Sequence, residues 1–94
     1  MARLSDAEVA ERMAALEDWR LTDAGEIERE LRLADFAAAI SYVERVAELA
    51  EAANHHPDIL VHGWNKVRLT LSTHSEGGLT GADFGLASEI DRLA

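Results

Sequence analysis

Three histidines and one aspartate are the residues of this 94-residue chain best suited to moving protons. His55 and His56 are adjacent and are followed by Pro57; His74 and Asp83 come later in the chain. Histidine gives or takes a proton near neutral pH. Imidazoles entering one cleft from two directions would suit an acid and a base working on one small molecule. Each residue also has a plainer reading. A His-His pair at a helix exit can cap free carbonyls at the negative end of the helix dipole. Asp83 stands where a capping carboxylate belongs relative to Thr80. The spacing of His55, His56, His62 and His74 matches no common zinc signature. His62 reads as a surface turn residue. Trp64 either stacks on a ring or packs, and Lys66 and Arg68 either meet a polar ligand edge or form a solvated strand face.

The elements that must position these residues follow from periodicity and punctuation. Ser5 and Glu8 have capping-box spacing, and Leu4 and Val9 have staple spacing, so a helix starts at Ser5. Val9, Met13 and Leu16 form its apolar stripe. Trp19–Thr22 and Ile27–Leu33 alternate apolar and polar around a turn containing Gly25, which predicts a hairpin. Asp35 is the N-cap expected for a second helix from about Phe36 to Asn54, with Phe36, Ile40, Val43 and Ala47 as its buried stripe and Val46, Leu49, Ala50 and Ala53 widening it. Pro57 restricts His56 to extended angles, so that helix ends just before the histidine pair. A short strand over Asp58–Val61, a turn or bulge at His62-Gly63 and a long strand over Trp64–Thr73 come next. By parity, His74 leaves that strand on the face used by Trp64, Lys66 and Arg68. After the Ser75–Gly78 loop, Thr80 caps a third helix whose core residues are Phe84, Ala87, Ile90 and Leu93. The expected fold class is α+β: a two-layer sandwich in the order α-β-β-α-β-β-α, with a four-stranded antiparallel sheet and three helices on one face. One domain spans 1–94, and the uncovered sheet face predicts an oligomer.

Composition removes whole classes of function. Nine basic against eighteen acidic residues give a net charge of −9, which argues against nucleic acid, anionic membranes and polyanionic substrates. With no cysteine, thiolate catalysis, disulfides and cysteine-based metal sites are excluded. No apolar run approaches a membrane span and no signal core is present, so a cytoplasmic location is expected. Gly77-Gly78 lacks the spacing and lysine of a P-loop, and no nucleophile elbow appears.

The string Glu51-x3-His55-His56-Pro57, then Trp64, His74 and Asp83, resembles the signature of the pterin-4a-carbinolamine dehydratases. So do Asn65-Lys66-Val67, Leu69 to His74, Gly78-Leu79-Thr80 and the run from Phe84 through Ala87-Ser88. The resemblance covers nearly the whole chain. It implies a hydro-lyase that removes water from 4a-hydroxytetrahydropterin to give quinonoid dihydropterin, recycling the tetrahydrobiopterin used by an aromatic amino acid hydroxylase. It implies no metal and no organic cofactor, and a homodimer or homotetramer built by joining sheets. By the same resemblance His55 and His74 are the acid–base pair, without a choice of which is the acid, and His56 binds and orients the ligand. Pro57 fixes the geometry of the pair, Trp64 forms pocket wall, and Asp83 orients a histidine. The His62-Gly63 pair departs from the pattern and bears on substrate fit. The competing reading is a non-catalytic dimerisation or assembly-factor module, since some relatives of this fold serve transcription factors or Rubisco assembly.

Overall fold

The computed structural model describes residues 2–93. Helix α1 (Asp6–Met13) begins with the capping box read from the sequence: the Ser5 hydroxyl accepts from the Glu8 amide, and the Glu8 carboxylate accepts from the Ser5 amide. That backbone donor holds the Glu8 carboxyl below its ordinary value. Strand β1 is only Arg20–Leu21, shorter than the predicted Trp19–Thr22. Trp19 is turned into the core instead, and its Nε1 donates to Asp91 Oδ1 at 2.8 Å. Gly25, at φ +78°, makes the turn into β2 (Ile27–Arg32).

Helix α2 (Phe36–Ala53) is capped by Asp35, whose Oδ1 accepts from the Ala38 amide at 2.7 Å. Its buried residues are Ala39, Tyr42, Val46 and Ala50. Of the predicted stripe, Val46 and Ala50 are buried as expected and Leu49 is half-buried, but its leading row is out of phase: Phe36 is 55% and Ile40 37% exposed, and Ala47 is exposed while Val43 is half-buried. Both sets have helical spacing, so periodicity alone does not choose between them. The inward side carries the alanines that let the helix sit close to its neighbours, with Tyr42 and Val46 filling the space between.

Strands β3 (Asp58–His62) and β4 (Lys66–Leu71) form a hairpin. Its loop holds Gly63 and Trp64 at φ +54° and +60°. Two left-handed residues in succession cannot continue a strand, which is why β4 starts later than the predicted Trp64. It also ends early. Thr73 leaves the ladder to bridge Gly78, and a single 3₁₀ turn spans His74–Glu76. Thr80 then caps α3 (Gly81–Asp91), closing a capping box with Asp83.

The sheet order is β1-β2-β4-β3, antiparallel throughout. Register puts Ile27 beside Leu71, Leu31 beside Val67, and Ile59 beside Leu69. This face packs with Val46, Phe84, Ala87 and Ile90 into one apolar core, to which Val9 and Leu16 also belong. The other face presents Glu28, Glu30, Arg32, Lys66, Arg68 and Thr70. The architecture is the expected α+β sandwich, with three helices on one face of a four-stranded antiparallel sheet.

Candidate active site

The exit of α2 fixes the first histidine. Asn54 takes a left-handed conformation (φ 49°), its amide donates to Glu51 O, and the His55 amide donates to Ala50 O. This pair of bonds is a Schellman closure, so backbone amides rather than imidazoles satisfy those helix carbonyls. The His55 ring is thereby free for other work, and its Nε2 lies 2.5 Å from Asp83 Oδ1.

Asp83 is fully buried. Its Oδ2 accepts from the Thr73 hydroxyl at 2.8 Å and from the Thr80 amide at 2.9 Å. The Thr80 hydroxyl lies 2.9 Å from Thr73 Oγ1 and accepts from the Ala82 amide. Because Thr73 spends its proton on Asp83, Thr80 donates to Thr73. Both partners of Oδ2 are thus donors, as an acceptor-only carboxylate oxygen requires. Extending that pattern to Oδ1 assigns the His55 proton to Nε2 and leaves Nδ1 as the ring nitrogen available for chemistry. Capping and orienting are therefore not alternatives for Asp83: Oδ2 caps α3 while Oδ1 holds the imidazole.

His56 is held differently. Its Nε2 lies 2.5 Å from Glu51 Oε2, one turn back on α2, with both side chains largely exposed. His74 follows Thr73 directly, and so stands one residue from the Asp83 network. Its carbonyl accepts from the Gly77 amide, and its ring has no hydrogen-bond partner among the described residues. Its ring lines a cleft of about 390 Å³ with Arg3, Leu21, Glu26, Ser72 and Leu79. Strand parity does not reach it, because β4 ends at Leu71 and a 3₁₀ turn begins at His74, although Ser72, of the same parity, lines the same cleft.

Pro57 is half-buried between the histidine pair and β3. Trp64 is elsewhere. Asp58 pairs with Thr70 and His62 with Lys66, so the Trp64 loop stands roughly 13 Å along the hairpin from Asp58. It is 63% exposed there. The structure thus joins His55 to Asp83, carries Trp64 away from them, and ties His74 to the same network through the chain at Thr73, with its side chain on a cleft whose lining does not include His55, His56 or Asp83. His62 is not a bare turn residue: it ends β3, with Nε2 2.6 Å from Glu30 Oε1. Sequence reasoning noticed Thr80 only as a cap and Thr73 only as part of a motif, and it missed their hydroxyl link. Among the described residues, no three His, Asp or Glu side chains are grouped to hold a metal ion.

Comparison with known proteins places this geometry. The family described as pterin 4 alpha carbinolamine dehydratase matches residues 2–93. A protein of Chloroflexus aggregans, provisionally named a pterin-4-alpha-carbinolamine dehydratase, is 55% identical over 99% of this chain and 98% of its own. One from Nocardia farcinica with the same provisional name is 53% identical over 97% and 94%. The crystal structure of a transcriptional coactivator/pterin dehydratase from Brucella melitensis superposes with a TM-score of 0.89 at 34% identity, covering 95% of each chain. A pterin dehydratase-like protein identified as a RuBisCO assembly factor in the alpha-carboxysome shares the fold, with a TM-score of 0.69 at 24% identity over 82% of this chain and 89% of that one. With the family match running over residues 2–93 and relatives above 50% identical over almost the whole chain, this chain belongs to the pterin 4 alpha carbinolamine dehydratase family.

Proposed function

We propose that this chain is a hydro-lyase that eliminates water from a 4a-hydroxytetrahydropterin, with His55 and His74 as its acid–base pair. The observation that carries the reading is the 2.5 Å contact between His55 and the buried Asp83, whose second oxygen is bound by the residue preceding His74. Elimination breaks the C4a–O bond. It needs a proton delivered to the departing hydroxyl and one removed from ring N5, so that a C4a=N5 bond forms and water leaves. His55 presents Nδ1 in a fixed orientation, and His74 presents a ring without a competing protein partner. One gives the proton and the other takes it. His56, tethered by Glu51, binds and orients the ligand, and Pro57 keeps the two adjacent rings pointing apart.

The test is the rate of absorbance loss from freshly generated 4a-hydroxytetrahydropterin, with and without catalytic protein. Acceleration that disappears in His55→Ala and in His74→Ala is the expected result. Equal rates with and without folded wild-type protein would refute the reading.

The uncovered sheet face, the unpaired outer edge of β3 and the exposure of Leu60 favour assembly as a homodimer or homotetramer, which light scattering in solution tests. In such an assembly Trp64 forms pocket wall only for a neighbouring copy, because its own hairpin carries it away from His55. The product, a quinonoid dihydropterin, becomes the pterin used by an aromatic amino acid hydroxylase after a two-electron reduction by a separate reductase. Adding the protein to such a hydroxylase at limiting pterin, with that reductase and its reduced nicotinamide in excess, should therefore raise its steady-state turnover.

A further inference from the structure

The cleft beside His74 holds a second set of groups. Its volume of about 390 Å³ falls within the range of small-molecule sites. Leu4, Val9, Leu21 and Leu79 give it an apolar floor, and Arg3 is its one cation among the described residues. The segment before α1 is pinned over the loop that follows His74 by a hydrogen bond from the Leu4 amide to Leu79 O at 2.8 Å. Arg3 therefore lies across Gly78: a Cβ built on that glycine would stand 2.8 Å from Arg3 Nε and 3.2 Å from its Cδ. The missing side chain at position 78 is what lets the arginine lie there. No carboxylate lies within ion-pair distance of Arg3 among the described residues; Arg20, Arg29, Arg68 and Arg92 are paired, and of the unpaired arginines (Arg3, Arg12, Arg32 and Arg45) Arg3 is the one that shares a cleft with His74. In a chain of net charge −9, an unpaired guanidinium at the mouth of a cleft shared with His74 is a free donor set.

Resting on the dehydratase reading, we propose that Arg3 is a ligand-binding residue of this cleft, donating to an acceptor oxygen of the bound pterin. A pterin ring offers one carbonyl acceptor edge and, beside it, an N–H and amino donor edge. Arg3 matches the first, and the carboxylates of Asp6 and Glu26 on the cleft wall match the second. One cation against two carboxylates also favours an uncharged reduced pterin over one with a phosphorylated or polyglutamate tail. The role is in binding: Arg3 does not exchange protons with the reacting atoms.

The kinetics of dehydration with an uncharged 6-substituted substrate separate the outcomes. Arg3→Ala should raise KM about tenfold, as loss of a charged hydrogen bond does, with a much smaller change in kcat. Arg3→Lys should recover part of the loss. Gly78→Ala displaces the flexible end of Arg3 rather than any backbone, so it should fold and raise KM in the same direction. A KM within twofold of wild type in both Arg3→Ala and Gly78→Ala overturns the proposal. Should wild type itself not accelerate dehydration, the dehydratase reading falls, and calorimetric titration with 6-methyl-7,8-dihydropterin decides this one. Weaker binding to Arg3→Ala than to wild type sustains it; equal binding, or none to wild type, overturns it.

Discussion

His55–Asp83 and His62–Glu30 are the same chemical pair in two places. Each sets an imidazole Nε2 against a carboxylate oxygen, at 2.5 Å and 2.6 Å. The first joins the α2 exit to α3, and its side chains are 15% and 0% exposed. The second crosses the open sheet face, and its side chains are 31% and 43% exposed, with Arg68 also reaching Glu30. Water screens the second pair and competes for every bond it makes. Around the first there is little water to compete. Asp83 must find all its donors in protein, and it finds three. Distance alone therefore does not mark a functional histidine. What separates the two is whether the carboxylate has other obligations that hold it still.

The sharpest break of this comparison is catalytic. His55→Ala should lower kcat by about 10²- to 10⁴-fold, the usual worth of a positioned acid or base. His62→Ala should leave kcat unchanged under the same assay. Comparable losses in both variants would show that the difference in burial has no functional meaning.

Next comes stability. Asp83→Ala strands the Thr73 hydroxyl, the Thr80 amide and the His55 ring without an acceptor, and it removes the box that starts α3. Loss of a buried charged partner and a cap together should cost about 3–4 kcal/mol in denaturant unfolding. Asp83→Asn keeps the volume and one carbonyl acceptor, so it should cost less yet still lower kcat through a misdirected imidazole. Glu30→Ala, which opens a pair already screened by water, should shift the unfolding midpoint far less. A small effect of Asp83→Ala would mean that water enters to replace the carboxylate.

How far the sequence reveals this contrast depends on the element. Caps at Ser5, Asp35 and Thr80 are local, fixed by side chain and amide a few residues apart, and all three form as read. The strands and the first hairpin follow from alternation and turn chemistry, whereas the β2–β4 pairing that joins the two hairpins is set by tertiary packing. The phase of α2 is legible only in part: Val46 and Ala50 are buried as read, but both Phe36-Ile40-Val43-Ala47 and Ala39-Tyr42-Val46-Ala50 keep helical spacing, and only tertiary packing chooses the second as the inward row. The direction of His74 is not legible, since strand parity ends where Thr73 turns to Gly78. The joining of His55 to Asp83 spans 28 positions; family resemblance suggested an orienting carboxylate there, and spacing alone offered only a cap. Arg3 gave no local signal, because what places it is the emptiness of Gly78.

A buried polar group without such obligations gives the comparison a further test. The Tyr42 hydroxyl is buried and has no hydrogen-bond partner among the described residues. Burial pushes its titration above the ordinary 10.0. Tyr42→Phe removes an unsatisfied hydroxyl and should stabilise the fold by about 1 kcal/mol. The pH dependence has a definite sign. A raised folded-state pKa gives stability that is complete below the unfolded value and lost as pH rises through the folded one. Wild type should therefore lose stability relative to Tyr42→Phe above pH 10.0. A parallel decline of both proteins would mean that Tyr42 ionises as easily folded as unfolded.

The smallest effect is confined to one carboxyl. Glu30 titrates below its ordinary 4.5, first because of the hydrogen bond from His62, then through attraction to His62 and Arg68, with burial opposing. A depressed folded-state value gives stability present above pH 4.5 and lost as pH falls through the lowered one. His62→Ala removes the largest cause and keeps Arg68 at 3.2 Å. The Glu30 carboxyl should then titrate closer to 4.5 in a carbon-detected NMR titration, with no change in dehydration rate. An unmoved titration would make Arg68 the main partner. It would also leave His62 merely adjacent to Glu30, and the surface member of the comparison would no longer be a histidine–carboxylate pair.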